Sequence, residues 1–172
     1  MLTIQNLEVG YGQSRVIQNL SFLVGPEEIL AIMGRNGMGK TTLLKALIGI
    51  LPSKAGSIKL GDRELSGLAA YERVRGGLAY VPQGRMIFPS LTVTENILSG
   101  ARGAIEQSVW DEVYAVFPIL YEMRKRKGGN LSGGQQQQLA IARALVIERG
   151  RFIHEASRAS LDADKVKSLL SV

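Results

Sequence analysis

Gly34-Arg35-Asn36-Gly37-Met38-Gly39-Lys40-Thr41 decides how the chain is read. It fits the spacing G-x-x-x-x-G-K-[ST]. An apolar run, Glu28 to Met33, precedes it, and Leu43, Leu44, Leu47 and Ile48 follow at helical spacing. Strand, glycine-rich turn and helix in that order make a phosphate cradle. The glycines let the backbone curl until successive N–H groups face one concavity, and the helix adds its partly positive N-terminus. In such a cradle Lys40 reaches the β- and γ-phosphates of a nucleoside triphosphate, and the Thr41 hydroxyl is a ligand for Mg2+. The competing reading, a chance glycine-rich turn, has to account for every constrained position at once with the right flanks. The stretch alone points to a nucleoside triphosphate and leaves open kinase, motor or transporter.

A chain of 172 residues suffices for one domain, or one core with an attached subdomain, and 45% hydrophobic content supports a sizeable interior. Cysteine is absent, which fits a reducing compartment. No apolar run reaches the roughly 18 residues of a membrane-spanning helix. Met1 to Gln5 opens without the basic-then-apolar order of a secretory signal. The net charge of +6 comes from 21 basic and 15 acidic residues. One basic run, Arg124 to Lys127, stands out and the other cations are scattered, so the charge reads as solvated surface and predicts no nucleic-acid partner.

Working outward, Leu2, Ile4, Leu7 and Val9 predict one strand, and Val16-Ile17 with Leu20, Phe22 and Val24 a second. Between them Tyr11 sits in a Gly-Tyr-Gly turn. It reads as an ordinary turn tyrosine, or as an exposed ring able to stack on a nucleobase. Glu28 to Met33 predicts a buried strand and Thr41 to Ile50 a helix, which Leu51-Pro52 stops. Gly56 to Leu60 with the Gly61-Asp62 turn predicts a strand pair, and Leu78 to Val81 a short buried strand ending at Pro82-Gln83. Thr92-x-x-Glu95 is a capping box for a helix over about Thr94 to Leu98. Glu106 to Lys127 is one helix kinked at Pro118 or two short ones, its basic end complementing a helix C-terminus. Leu131-Ser132-Gly133-Gly134-Gln135 opens a last helix to Val146, with Ser132 as N-cap and bare backbone N–H groups at a second potential phosphate site.

The loop at 34–41, Gln83 and L-S-G-G-Q at 131–135, in this order, resemble the nucleotide-binding subunits of ATP-binding cassette transporters. The L-S-G-G-Q signature discriminates against other phosphate-loop families, and the likeness covers almost the whole chain. It implies an α/β P-loop NTPase fold with an N-terminal antiparallel β subdomain, a helical subdomain and, here, an incomplete core sheet. The expected divisions are 1–83 for the β subdomain and phosphate-loop core, 84–130 for the helical subdomain, 131–146 for the signature helix and 147–172 for a C-terminal strand and helix tail.

The resemblance also implies the cofactors, ATP and Mg2+, and assigns residues to them. Tyr11 would stack on adenine. Gly34, Asn36, Gly37, Gly39, Lys40, Thr41 and Thr42 would hold the phosphates, and Thr41 and Gln83 the metal, with Gln83 also meeting the attacking water. Ser132, Gly134 and Gln135 would meet the nucleotide of an opposite protomer, so the site completes itself only in a head-to-tail dimer. The implied partners are a second ATPase subunit and transmembrane permease subunits, at the cytoplasmic face of the inner or plasma membrane. Val81 to Pro89 and Leu91 to Asn96 look like the branch serving urea and branched-chain amino-acid importers, and Gly34-Arg35-Asn36-Gly37 leans to the urea type.

The family pattern continues with an apolar strand ending in Asp-Glu, a dimer-contact loop, another strand and a switch residue. None of these follows the signature helix, and Ile147 to Ile153 already looks like a later strand. An internal segment is therefore expected to be missing near Val146–Ile147. Glu148 follows apolar residues that continue a helix, so it is not expected to be catalytic. Ser160-Leu161-Asp162 reads as an N-cap and His154, the only histidine, as an ordinary strand residue. The chain then reads either as the ATPase subunit of an importer by descent, or as a non-hydrolysing nucleotide-binding remnant or truncated product.

Overall fold

The computed structural model describes residues 1–101 and 103–149. They divide into two compact units, one spanning Met1–Leu78 and one beginning at Ala79.

In the first unit the alternating apolar residues form β1 (Leu2–Val9) and β2 (Ile17–Val24), paired antiparallel. β3 (Ser53–Leu60) pairs with the other edge of β1 and with the short β4 (Arg63–Glu64), giving the order β2-β1-β3-β4. Alternation breaks at Asn6, which takes φ 48°. The register to β3 shifts between Gln5 and Glu8, and Leu7 turns inward beside Ile4 and Val9. Opposite this bulge stands Gly56, with φ +90°. A Cβ there would lie 2.5 Å from the carbonyl oxygen of Asn6 and 2.6 Å from that of Gln5, so the close approach of β3 requires glycine.

Ile4, Leu7, Val9, Ile17 and Ile58 pack with Leu43 and Ala46 of α1 (Lys40–Ile48) to form the core of this unit. α1 ends at Gly49 rather than at Leu51-Pro52. Gly49 takes φ 84°, its N–H donates to Ala46 O at 3.1 Å, and Ile50 N–H donates to Lys45 O at 2.9 Å. α2 (Ala70–Arg75) follows β4.

Two expected strands do not form. Residues 28–33 and 78–81 carry no regular structure, and Ile29 and Met33 are 61% and 91% exposed. A buried parallel strand needs hydrogen-bonding neighbours and cover on both faces. The sheet of the described residues is wholly antiparallel, so these segments have no ladder to join.

The carboxylate of Glu64 ties β4 to its surroundings. It accepts from the Ser66 hydroxyl at 2.7 Å, Ser66 N–H at 3.1 Å, Ile58 N–H at 3.2 Å and the Ser57 hydroxyl. Burial pushes its pKa up, but the donors Ser57, Ser66 and Ile58 outweigh that and lower it from 4.5 to about 2. The unfolded chain loses these donors. The stabilisation is thus complete above pH 4.5 and is lost as pH falls toward 2. Glu64 is solvent-exposed, and screening reduces the contribution to on the order of 1 kcal/mol. Urea titrations from about pH 5 downward are expected to show Glu64→Gln flattening the acid limb of the stability curve; an unchanged limb would contradict this assignment.

In the second unit α3 (Val93–Leu98) opens with the expected capping box. Glu95 N–H donates to Thr92 Oγ1 at 3.2 Å and Thr92 N–H to the Glu95 carboxylate at 2.7 Å. Pro118 divides the next region into α4 (Gln107–Val116) and α5 (Pro118–Glu122), and stands at the first position of α5, where its missing N–H is no loss. α5 stops before the basic run, and Arg124 complements its C-terminus as expected, Nη1 donating to Tyr121 O at 2.9 Å. The backbone of the run also serves α3: Arg124 O and Arg126 O accept from Thr94 N–H at 3.1 Å and Val93 N–H at 2.9 Å, which satisfies its first turn. Asn96, fully buried, binds the preceding loop. It accepts from Phe88 N–H at 2.7 Å and donates to the carbonyls of Phe88, Leu91 and Thr92.

A 3-10 turn at Gly128–Asn130 leads into α6 (Gly133–Arg149). Leu139, Ala142 and Val146 of α6 pack with Val93, Ile97, Val113 and Leu120 in the second core. α6 continues through residues 147–149, where the sequence predicts the start of a strand. Ile147 to Arg149 contain no glycine, proline or cap to end the helix, so it runs on. The remainder of the expected C-terminal strand and tail, with His154 and Ser160-Leu161-Asp162, lies outside the described residues.

Candidate functional site

The first unit presents the phosphate loop at the N-terminus of α1. Gly34, Gly37 and Gly39 take φ 154°, 85° and 84°. Gly37 and Gly39 thus sit in the left-handed region, which turns successive amides to one side. The amides of Asn36, Gly37 and Gly39 donate to no group among the described residues, and the first turn of α1 leaves further donors at the same end. Gly39 lies against Val16, where a Cβ would come within 2.9 Å of the Val16 side chain.

The Lys40 ammonium curls back over the loop, donating to Gly34 O and, at 2.8 Å, to Arg35 O. It is held by neutral carbonyls and is free to exchange them for phosphate oxygens. Thr41 is exposed at the start of α1, while Thr42 is buried beneath it. Tyr11 occupies the turn before Val16 and is 51% exposed. Its carbonyl accepts from Ser14 N–H at 2.9 Å, and Lys54 braces the turn through Gly12 O and, at 3.2 Å, Ser14 O. The Gly39–Val16 contact therefore brings the Tyr11 turn beside the phosphate loop.

The second unit holds Gln83 and the signature. Gln83 is exposed, next to a turn in which Gly84, Arg85 and Met86 all take positive φ, at 90°, 66° and 47°. Two successive non-glycine residues in this region are costly and need external support. Arg143 of α6 provides it, donating to Met86 O at 2.8 Å and lying 5.4 Å from the Phe88 ring. Arg85 reaches Gln136 at 3.3 Å, and its guanidinium stands 3.2 Å from where a Cβ of Gly133 would be. These two arginines join the Gln83 turn to the signature helix. No sequence motif marks them, since each reads alone as surface charge.

Ser132 caps α6 reciprocally with Gln135. Gln135 N–H donates to Ser132 Oγ at 3.3 Å, and Ser132 N–H to Gln135 Oε1 at 2.9 Å. The Gln135 side-chain oxygen thus serves the cap, whereas Gly134 has open space where a side chain would be. Among the described residues no three His, Cys, Asp or Glu side chains converge as a metal site. A metal at the phosphate loop would have to share phosphate oxygens with the Thr41 hydroxyl, an oxygen donor set suited to Mg2+. The Asp-Glu pair of the sequence, Asp111-Glu112, lies inside α4.

Residues 17–153 match the family model described as ABC transporter. The chain is 38% identical over 149 residues to the high-affinity branched-chain amino acid transport ATP-binding protein BraG of Pseudomonas aeruginosa, covering 85% of this chain and 64% of that protein. It is 37% identical to the probable branched-chain amino acid transport ATP-binding protein LivF of Archaeoglobus fulgidus, covering 85% and 63%. The lipopolysaccharide export system ATP-binding protein LptB of Escherichia coli is 35% identical, over 84% and 62%. The chain thus spans less than two thirds of the length of these relatives. Among solved structures, a dimeric bacterial ABC transporter cassette superposes with TM-score 0.72 at 26% identity, covering 86% of this chain and 70% of that one. A dimeric post-hydrolysis cassette bound to ADP and Pi gives 0.74 at 23% identity over 99% and 81%. The α/β fold, with its antiparallel sheet and helices, is therefore that of the P-loop cassettes.

Proposed function

Because the chain belongs to the ABC transporter family, we propose that it is, by descent, the ATP-binding subunit of an importer for branched-chain amino acids or urea. It would act as a peripheral subunit on the cytoplasmic face of the membrane, paired with a second ATPase subunit and with permease subunits. The observation that carries this reading is the loop at 34–41: left-handed glycines, unengaged amides and the Lys40 ammonium at one helix N-terminus. The importer branch rests on the likeness to branched-chain amino acid transport proteins and on the Val81 to Asn96 stretch. Urea rests on the Gly34 to Gly37 form of the loop alone.

In this reading the loop amides and Lys40 hold the β- and γ-phosphates, and the hydroxyl of Thr41 and the amide oxygen of Gln83 hold Mg2+. Bound Mg2+ neutralises phosphate charge. Tyr11 stacks on the base, and Ser132 and Gly134 approach the γ-phosphate held by an opposite subunit.

We further propose that the chain binds ATP without turning it over, because the segment carrying the Asp-Glu pair is absent between Val146 and Ile147. Three observations favour this: α6 runs unbroken across that join, the apolar residues 29–33 lack the sheet that would bury them, and Asp111-Glu112 lies within helix α4, not at the end of a strand.

Titration with a fluorescent ATP analogue and Mg2+ tests the loop. Lys40→Ala removes charge-assisted bonds worth about 1.5 to 3 kcal/mol, so binding should weaken at least about tenfold. A variant that binds as tightly as the parent would exclude the loop as the phosphate site.

A further inference from the structure

α1 presents Lys40 and Thr41 at one end, and its other end is gripped by a buried cation. Arg73 of α2 is 1% exposed. Its Nη1 donates to Ala46 O at 2.8 Å and Leu47 O at 2.9 Å in the last turn of α1. Nη2 donates to Ser66 O at 2.8 Å, and Nε to Leu68 O at 3.0 Å. Ser66 in turn donates its N–H and hydroxyl to Glu64, and Glu64 also accepts from Ile58 of β3. A continuous hydrogen-bonded chain thus runs from β3 through Glu64, Ser66 and Arg73 to the C-terminus of α1.

Burying a guanidinium whose hydrogen bonds all go to carbonyls is expensive unless every contact is well made, and an apolar side chain would fill the same volume at less cost. What the cation supplies is direction. It satisfies the orphan carbonyl of Leu47, joins Gly49 N–H on that of Ala46, and fixes the negative end of α1 relative to the sheet. The fit leaves no slack: a Cβ on Gly49 would lie 2.8 Å from Arg73 Nε. Six residues separate Ala46 from Lys40, about 9 Å along the helix. A tilt of about 6° at the gripped end therefore moves the loop by about 1 Å, enough to misalign several phosphate contacts together.

We infer that Arg73 is a positioning residue for the phosphate loop, acting through α1 and braced by Ser66 and Glu64. The nucleotide part of this inference rests on the loop being an ATP site; the α1 part does not.

The test uses the full chain with Arg73→Lys, which keeps the charge but loses the fork, and with Glu64→Gln, which loosens the far end of the brace. Hydrogen exchange is followed without nucleotide, and calorimetric titration with Mg·ATP follows. For Arg73→Lys, the hydrogen-bonded amides of 43–48 should exchange at least about tenfold faster, with β1 and β2 amides within about twofold of the parent. The Kd should weaken about tenfold at unchanged stoichiometry; Glu64→Gln should give the same pattern, smaller. Uniform acceleration over residues 2–78, or parental exchange at 43–48, would overturn the inference. So would a parental Kd with reduced stoichiometry, since that is the signature of partial unfolding. A parent chain that binds no Mg·ATP would defeat the ATP reading, and the exchange data would still decide the role of Arg73.

Discussion

Steady-state ATP hydrolysis by the purified chain is expected to lie at least about a thousandfold below that of a relative carrying the Asp-Glu pair, and to be insensitive to Lys40→Ala. Phosphoryl transfer to water depends on holding the metal, orienting the water and neutralising developing charge. The described residues supply a phosphate cradle and a threonine hydroxyl, with no cluster of acidic side chains around a metal position. Loss of such a group typically costs two to four orders of magnitude in rate. Inserting the corresponding segment of a relative between Val146 and Ile147 should raise turnover by about the same factor, and the gained activity should then require Lys40. Turnover at the level of an intact cassette in the unaltered chain, abolished by Lys40→Ala, would refute the proposed loss.

The second large effect concerns the fold on which the loop is built. Gly56→Ala is expected to destabilise the first unit by about 4 kcal/mol or more, because left-handed strain and a backbone collision act together. The added Cβ would meet the Asn6 and Gln5 carbonyl oxygens and Leu7 Cα, all within 2.6 Å, and none is the tip of a flexible side chain. Gly61→Ala is the matched control. Gly61 also has positive φ, at 58°, but nothing lies within 4 Å of its Cβ position, so its cost should be about 1 kcal/mol. Thermal melts and exchange at β1 and β3 distinguish them. Similar losses from both substitutions would mean that the bulge at Asn6 is not what demands glycine at Gly56.

Where local chemistry suffices, the sequence is a good guide to this chain. The Thr92-x-x-Glu95 capping box, the Ser132 N-cap, the break at Pro118 and the left-handed glycines of the phosphate loop all involve partners within a few residues, and all take the expected form. The strands at 28–33 and 78–81 fail for the opposite reason. Apolar composition predicts that a segment wants burial, but a parallel strand forms only if its neighbours exist. The bulge at Asn6 and the demand for Gly56 arise between two strands far apart in sequence, so no single stretch announces either. Arg73, Arg85 and Arg143 were illegible for a related reason. Each looks like a solvated charge until the backbone carbonyls or rings it meets are brought to it by folding.

The basic run Arg124 to Lys127 has a legible half and a hidden half. The Arg124 guanidinium reaches Tyr121 O in the last turn of α5, as cations after a helix suggest, whereas the capping of α3 by the run's backbone joins two stretches distant in sequence and neither announces it.

The central claim is that the loop at 34–41 binds ATP in a chain that does not hydrolyse it. Incubating excess purified chain with γ-labelled ATP and Mg2+, isolating the bound nucleotide after many turnover times of an intact cassette, and identifying it tests this most directly. Bound label should be recovered as intact ATP, with no label retained by Lys40→Ala. Recovery as ADP with free labelled phosphate, or no binding by the parent chain, would contradict it.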